Sequence, residues 1–372
     1  LIDKPSKLKE EKSMKKRISR TAAAALFLSL LLTGCGGNSN ETTTAATSGG
    51  STTTAEKTSE DTSAAAGGDV ITLKMGTKMG ADSQEGKGFQ KFADLVAEKT
   101  GGSVEVVVYP SEQLGDSTTQ INNLAMGTQE LYAEGCNYFS GYTNLLEVSN
   151  IPYLFENNEQ YLELVQSDFG KQQEAILEDN GFKILNTNRD WIRGPFRVLC
   201  SSTPIQSLDD VKGLRLRSYE SDIYMKCWSA LGAEPIVISW TETYLALQQG
   251  TVSAVASPIS MVEDMAFTEV APHVSFVKEF PQEIVVVMNK KVFDGLTAEQ
   301  QEACIEAANE AAAWSNDLLN AETDASIKRM EDAGATFYDI DTKPFTETLL
   351  DYFRELEANG TMPEGLLERL GY

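Results

Sequence analysis

From Val70 onward the chain alternates two kinds of apolar patterning: short runs of period two, and longer stretches in which apolar residues recur every three or four positions. Val70-Ile71-Thr72-Leu73-Lys74-Met75 predicts a first strand. Phe89, Phe92, Ala93 and Val96 share one helical face up to a stop at Gly101-Gly102. Val104 to Tyr109, rich in Val and closed by Pro110, predicts a second strand. A helix over about 116–126 and a short strand at Leu131–Glu134 complete a βαβαβ opening. That order predicts a mainly parallel sheet with helices on its faces.

Two helices are expected after Pro152, then strands near Lys183–Thr187, Phe196–Leu199, Leu214–Arg217, Pro235–Ile238 and Val252–Val255. One helix runs to Leu231 and another from about Trp240 to Gln249. Ser239 and Glu242 have the S-x-x-E spacing of a capping box, which places the start of that second helix beside Trp240. From Thr297 to about Met330 the chain is rich in Ala and Glu. One helix of that length, at about 1.5 Å per residue, is long enough to cross from one lobe to another. No repeat of 20–50 residues is apparent, and the stretch from about Asp69 to Tyr372 is long enough for two lobes, each with a core.

The pattern of residues 1–68 is different. Met14-Lys15-Lys16-Arg17 is basic, Ala22–Leu32 is an almost unbroken apolar run too short to span a bilayer, and Leu32-Thr33-Gly34-Cys35 follows. This arrangement resembles a bacterial lipoprotein signal. The resemblance implies cleavage before Cys35, lipidation of its thiol, export, and tethering to the membrane from outside the cytoplasm. Residues 1–13 precede Met14 and read as an upstream translation artefact. Residues 36–68 are Ser, Thr, Ala, Gly and acidic residues without apolar periodicity; such a segment buries too little surface to offset its ordering entropy and is expected to be a disordered linker.

Charge narrows the partners. The formal net charge is −24, and residues 1–34 carry eight basic and three acidic side chains, so their removal takes it to −29. Such a surface argues against nucleic acid and against adhesion to anionic lipid. An anionic ligand would need a local cationic pocket working against the global field.

Little in the sequence points to catalysis. The single histidine, His273, removes His-based metal clusters and makes a Ser-His-Asp triad improbable. There is no HExxH and no G-x-S-x-G. Gly80 to Lys87 superficially resembles a phosphate loop, but five residues separate Gly80 from Gly86 and Gly88 stands where Ser or Thr is needed. Cys136, Cys200, Cys227 and Cys304 allow three disulfide pairings, lack CxxC spacing, and read as small buried hydrophobes. The expectation is a protein without enzymatic activity, cofactor or metal.

The informative constellation lies between Arg197 and Gly250. Arg197 sits in Gly-Pro-Phe-Arg-Val, Arg217 closes the Leu-Arg-Leu-Arg strand ahead of Ser218-Tyr219, and Trp240 precedes Thr-Glu-Thr-Tyr. Strand ends and helix starts are where ligands gather in α/β sheets. A guanidinium presents a planar fork that matches a carboxylate, and Trp supplies a face for a carbon skeleton. Equally, Arg215 and Arg217 could be ordinary strand-edge cations paired with surface acids. The residues alone leave both readings open.

Four ordered motifs then carry a resemblance: Phe92-Ala-Asp-Leu-Val-Ala-Glu-Lys-Thr-Gly-Gly, Tyr109-Pro-Ser-Glu-Gln-Leu-Gly115, Ser207-Leu-Asp-Asp-Val-Lys-Gly-Leu-Arg-Leu-Arg217, and Leu231-Gly-Ala-Glu-Pro followed by the Trp240–Gly250 run. Together these resemble the DctP-type substrate-binding proteins of tripartite ATP-independent periplasmic (TRAP) transporters. The resemblance implies an α/β, two-lobed periplasmic-binding-protein-like fold with mixed, mainly parallel sheets and a long inter-lobe helix. The implied division is 69–194 with 283–322 in one lobe and 195–282 with 323–372 in the other.

It further implies a monomer that closes over a small organic acid (a dicarboxylate, sugar acid or keto acid) and delivers it to the membrane permease subunits. The alternative is a lipoprotein that presents ligand to a membrane sensor kinase. In the family pattern Arg217 pairs with the ligand carboxylate, Arg197 assists, Trp240 lines the pocket and Glu134 reaches ligand polar groups. Lys78, Tyr219 and Ser257 complete the candidate set. Ser257-Pro258 departs from the usual Asn-Pro and Ser253-Ala254 from the usual Asp-Gly, so substrate preference is expected to differ there.

Overall fold

The computed structural model describes residues 70–372. The signal, Cys35 and linker readings lie outside the described residues. The chain opens with β1 (Ile71–Gly76), α1 (Gln84–Lys99), β2 (Val104–Tyr109), α2 (Ser117–Met126) and β3 (Leu131–Glu134). It continues through α3 (Asn158–Val165), α4 (Asp168–Asp179), β4 (Phe182–Ile184), β5 (Arg197–Ser201), β6 (Arg215–Ser218), α5 (Asp222–Ala230), β7 (Glu234–Val237) and α6 (Thr243–Gln248). Then come β8 (Ala254–Pro258), α7 (Ile259–Asp264), β9 (His273–Phe276), β10 (Val285–Asn289), α8 (Lys290–Asp294) and α9 (Ala298–Asp332). The last elements are β11 (Thr336–Asp339), α10 (Lys343–Ala358) and α11 (Leu366–Leu370).

Two mixed sheets result, with strand orders β2-β1-β3-β10-β4 and β11-β9-β5-β8-β6-β7. Each contains a single reversed strand. In the first, β10 runs antiparallel to both neighbours, β3 and β4; in the second, β5 runs antiparallel to β8 and β9. Both reversed strands belong to the chain's passages between sheets, which is why the fold is mainly parallel without being wholly so. Central strands such as β3 and β10 are buried throughout and largely apolar, with Glu134 and Asn289 at their ends, whereas edge strand β2 is partly exposed.

Local chemistry sets the element ends. Ser83 Oγ accepts the Gly86 amide at 2.9 Å and caps α1, and Gly101 and Gly102 take left-handed backbone after it. A Cβ at Gly86 would stand 2.1 Å from the Gly80 carbonyl oxygen, so the glycine spacing that mimics a phosphate loop serves close backbone packing. Thr297 and Gln300 form a reciprocal capping box at the start of α9. The buried face of α9 includes Ala303, Cys304, Ala307, Ala308, Ala311, Ala312 and Ser315, small side chains that let it lie close against α1. A Cβ at Gly88 of α1 would approach Ser315 Oγ to 2.8 Å. Further along, Arg329 makes two hydrogen bonds to Glu263 of α7, at 2.7 and 2.9 Å. One helix therefore braces both sheets, as its length predicts.

Several expectations shift. The Ser239/Glu242 box does not form: Ser239 Oγ donates to the Glu242 carboxylate at 2.7 Å, Trp240–Glu242 make a turn, and α6 starts only at Thr243. The carboxylate is occupied by the serine hydroxyl, so it does not reach back to the backbone. The strand expected at Val252–Val255 lies at Ala254–Pro258, which brings Ser257 and Pro258 into the sheet. Strands β9, β10 and β11 were not anticipated.

The two passages between sheets run side by side and antiparallel. The Lys278 amide donates to the Arg197 carbonyl at 3.0 Å, Arg193 to Gln282 at 2.8 Å and Ile284 to Trp191 at 2.8 Å. Buried ion pairs flank this ladder: Arg189 forks onto Glu283, with Nη2 to Oε2 at 2.8 Å, and Arg197 Nε meets Glu279 at 2.7 Å. Arg189 and Lys278 both adopt left-handed backbone here. Removing Glu283 leaves the buried Arg189 charge balanced only by the half-buried Glu174, 3.6 Å away. Glu283→Gln is therefore expected to cost about 3–5 kcal/mol in urea unfolding, with Arg189→Met/Glu283→Met recovering part of the loss.

Candidate functional site

A narrow cavity of roughly 260 Å³, counting the space at its mouth that is open to solvent, lies where the second sheet faces the first β-α loops; Lys78, Tyr138, Arg193, Arg197, Arg217, Tyr219, Trp240 and Met261 are on its wall. A wider outer chamber, about 570 Å³ with the adjoining open solvent included, shares Lys78, Tyr138, Arg217, Tyr219 and Trp240 and adds Glu112, Asp116 and Glu220 at its rim. Contacts from the two sheets meet around it. Thr241 Oγ1 donates to Glu112 at 2.8 Å, Tyr138 stacks on Tyr219 at 5.7 Å between centroids, and Lys78 Nζ lies 5.4 Å from the Trp240 ring.

Arg217 is the third residue of β6, hydrogen-bonded in register between Ile236 and Val255. Arg215 and Arg217 share one face of that strand; Arg215 at its start is exposed, whereas Arg217, two residues further along, is covered and 6% accessible. Its Nε donates to the Ile238 carbonyl at 2.9 Å and its guanidinium lies 5.3 Å from the Trp240 ring. Among the described residues no carboxylate lies within ion-pairing distance of it. Burial accordingly pushes its pKa down. The surface-ion-pair reading of Arg217 therefore does not describe this geometry. Trp240 packs edge-on against Phe267 and leaves its buried indole N–H without a partner among the described residues.

Three other arginines along the crossing are each paired with a buried glutamate. Arg189 is paired as described above. Arg193 forks onto Glu85 at 2.6 and 2.7 Å and gives a third bond to Glu134 at 2.7 Å. Arg197 divides its donors among Glu279, Gln282 and the Ala256 carbonyl, with its guanidinium 4.4 Å from the Phe280 ring. Arg197 reaches the cavity wall, yet it arrives there already paired. Glu134 is fully buried and does not line the cavity: it joins Arg193 to Lys78, whose Nζ lies 2.9 Å from Oε2. Lys78 also donates to the Tyr138 hydroxyl at 3.0 Å. Ser257 is buried with its hydroxyl on the Pro258 carbonyl, and its neighbours Ala256 and Pro258 line the wall instead. Sequence reasoning brought Lys78, Arg197, Arg217, Tyr219 and Trp240 to one place. It missed Tyr138, Arg193, Met261 and Gln282. The available signal was spacing: Arg189, Arg193 and Arg197 recur every four residues outside any helix, opposite Glu279 and Glu283, also four apart.

Comparison with known proteins decides the family. The family model for bacterial extracellular solute-binding proteins, family 7 (DctP), matches residues 75–359. The chain belongs to this family. It is similar to the 2,3-diketo-L-gulonate-binding periplasmic protein YiaO of Escherichia coli, 29% identical over 277 residues, covering 74% of this chain and 83% of the relative. The C4-dicarboxylate-binding periplasmic protein DctP of Rhodobacter capsulatus is 30% identical over 267 residues, covering 72% and 79%. Among solved structures, a TRAP periplasmic solute-binding protein from Sulfitobacter sp. NAS-14.1 with bound β-D-galacturonate superposes with TM-score 0.74 at 24% identity, covering 80% of this chain and 98% of that one. The sugar acid-binding protein DctPAm of Advenella mimigardefordensis, in complex with galactonate, gives 0.75 at 23% identity, covering 81% and 97%. The fold of this DctP-family chain is thus the two-lobed TRAP solute-binding fold, with α9 as its long helix.

In this family member the buried cysteines are unpaired, and burial pushes Cys136 up to about 12 and Cys304 up to about 11. No helix among the described residues is long and apolar enough to cross a membrane. Burial alone would raise Glu134, but Arg193 and Lys78 outweigh it and hold the carboxyl down at about 2. Its folded pKa lies below the ordinary value of 4.5, so its stabilising contribution is complete above about pH 4.5 and is lost as pH falls towards 2. Glu134→Gln is expected to lower stability by about 3–5 kcal/mol at pH 7, with the gap to the unmodified protein narrowing between pH 4.5 and 2 in denaturant titrations.

Proposed function

We propose that this protein captures a small organic acid outside the cytoplasm through Arg217 and delivers it to TRAP permease subunits in the membrane. One observation carries the reading: Arg217 is a buried guanidinium facing a cavity without a carboxylate partner among the described residues. A cation held out of water in this way is stabilised by an anion of matching geometry, and a carboxylate fits its fork. Trp240 offers an apolar face and a free indole N–H beside it, and Tyr138 and Tyr219, stacked on each other, line the same cavity. The relatives' names, a diketogulonate and a C4-dicarboxylate binder, support the same ligand class.

Lys78, Tyr219 and Arg197 contribute contacts, whereas Glu134 acts by holding Lys78 and Arg193, and Ser257 by packing in the sheet. The lobes divide at the paired crossings near 194/195 and 282/283. Ligand bridging the two faces favours the closed arrangement over an open one. The chain binds without turnover: its single histidine is engaged with the Tyr338 hydroxyl at 2.9 Å, between β9 and β11. The Leu32-Thr33-Gly34-Cys35 sequence supports a lipid anchor at Cys35, carrying a monomeric body.

In thermal unfolding against organic acids and neutral sugars, a carboxylate at about a hundred times its dissociation constant is expected to add roughly 2.7 kcal/mol, a shift of a few degrees. A response confined to neutral sugars would refute the role of Arg217. For Arg217→Ala, calorimetry is expected to show anion affinity lower by about a hundredfold or more in a folded protein. Trp240→Ala is expected to weaken binding while keeping the preference for carboxylates.

A further inference from the structure

Charge bookkeeping around the cavity restricts the ligand beyond its being an acid. Four cations reach the inner wall: Lys78, Arg193, Arg197 and Arg217. Three carboxylates meet them directly. Glu85 fills the fork of Arg193, Glu134 is shared between Arg193 and Lys78, and Glu279 takes Nε of Arg197. All three carboxylates are at most 2% accessible. Glu85 is raised by burial, with Arg193 opposing that shift, and the two short bonds from one guanidinium are those made to an ionised carboxylate. Asp264 lies near Glu85 but does not line the cavity, and exposed Lys87 shares its surroundings. The buried wall therefore holds one positive charge in excess, located on Arg217.

The outer chamber carries the opposite sign. A ligand anchored on Arg217 and extending outward meets Glu112, Asp116 and Glu220. Asp116 already accepts the Thr119 amide at 2.8 Å and Glu112 the Thr241 hydroxyl at 2.8 Å, and each carboxylate keeps further lone pairs for donors. A second carboxylate at that end would face like charges, while hydroxyl groups would find acceptors.

We infer that the ligand is a monoanion: one carboxylate on Arg217, and a hydroxyl-bearing body, rather than a second carboxylate, towards Glu112, Asp116 and Glu220. This deepens the proposed function and rests on its Arg217–carboxylate reading. One carboxylate neutralises the excess charge of the inner wall, whereas a second would be buried without a cation.

The test uses matched sets on four-, five- and six-carbon skeletons, each comprising the aldonate, the corresponding aldarate and the aldose. Titration calorimetry on the purified protein is expected to show binding of at least one aldonate, with its aldarate at least about tenfold weaker and the aldose without binding. An aldarate that binds as tightly as its aldonate would overturn the monoanion inference and leave the Arg217 reading standing. An aldose that binds as well as the acids, or silence of every acid, would count against the Arg217 reading itself. A second arm probes the rim. In Glu112→Gln/Glu220→Gln, which alters groups at the cavity mouth, the aldonate–aldarate gap is expected to narrow by about tenfold. An unchanged gap would overturn the part assigned to the rim carboxylates.

Discussion

A guanidinium removed from water needs a carboxylate, and much of this structure is arranged around that requirement. Arg189, Arg193 and Arg197 enter the interior at four-residue intervals along one passage between the sheets, and each finds a glutamate there. Glu279 and Glu283 come from the second passage, Glu85 from the start of α1 and Glu134 from the first sheet. These pairs lock two irregular segments together where regular hydrogen bonding is sparse. Arg217 is the exception that the others make conspicuous, because it is buried to a similar degree with only a backbone carbonyl on its Nε.

The same network explains how a very acidic protein can offer a cationic pocket. Surface carboxylates are screened by solvent, while the few charges that face the cavity act in a less polar medium. What counts is the local sum, and it is set by which glutamates are already committed. Glu134 shows the principle from the other side: two cations hold it ionised, and it in turn keeps Lys78 and Arg193 oriented towards the cavity. Long helix α9 provides the mechanical counterpart. Its small residues let α1 approach closely, and Arg329 ties its far end to Glu263 beside the second sheet.

Much of this was legible in the chain. The βαβαβ opening, the pair of helices after Pro152, the Leu-Arg-Leu-Arg strand and the long Ala/Glu helix depend on local periodicity and capping. Where reading failed, a competing side-chain bond or a nonlocal pairing intervened. The Ser239/Glu242 spacing fits a capping box, yet the two side chains bond each other and the helix starts later. Strand β8 slipped towards Ser257 because its ends are defined by pairing with β5 and β6, not by its own apolar run.

Periodicity by itself determined the α/β class, because strand and helix patterns follow from neighbouring residues; the ordered motifs carried the family, and through that resemblance the candidates Lys78, Arg197, Arg217, Tyr219 and Trp240. Which arginine remained unpaired was decided only by the tertiary structure. Ion pairing here joins Arg193 to Glu85 and Glu134 across 108 and 59 residues, and Arg197 to Glu279 across 82. Charge compensation is a property of distance in space, and no local pattern records which carboxylates the fold will bring within reach.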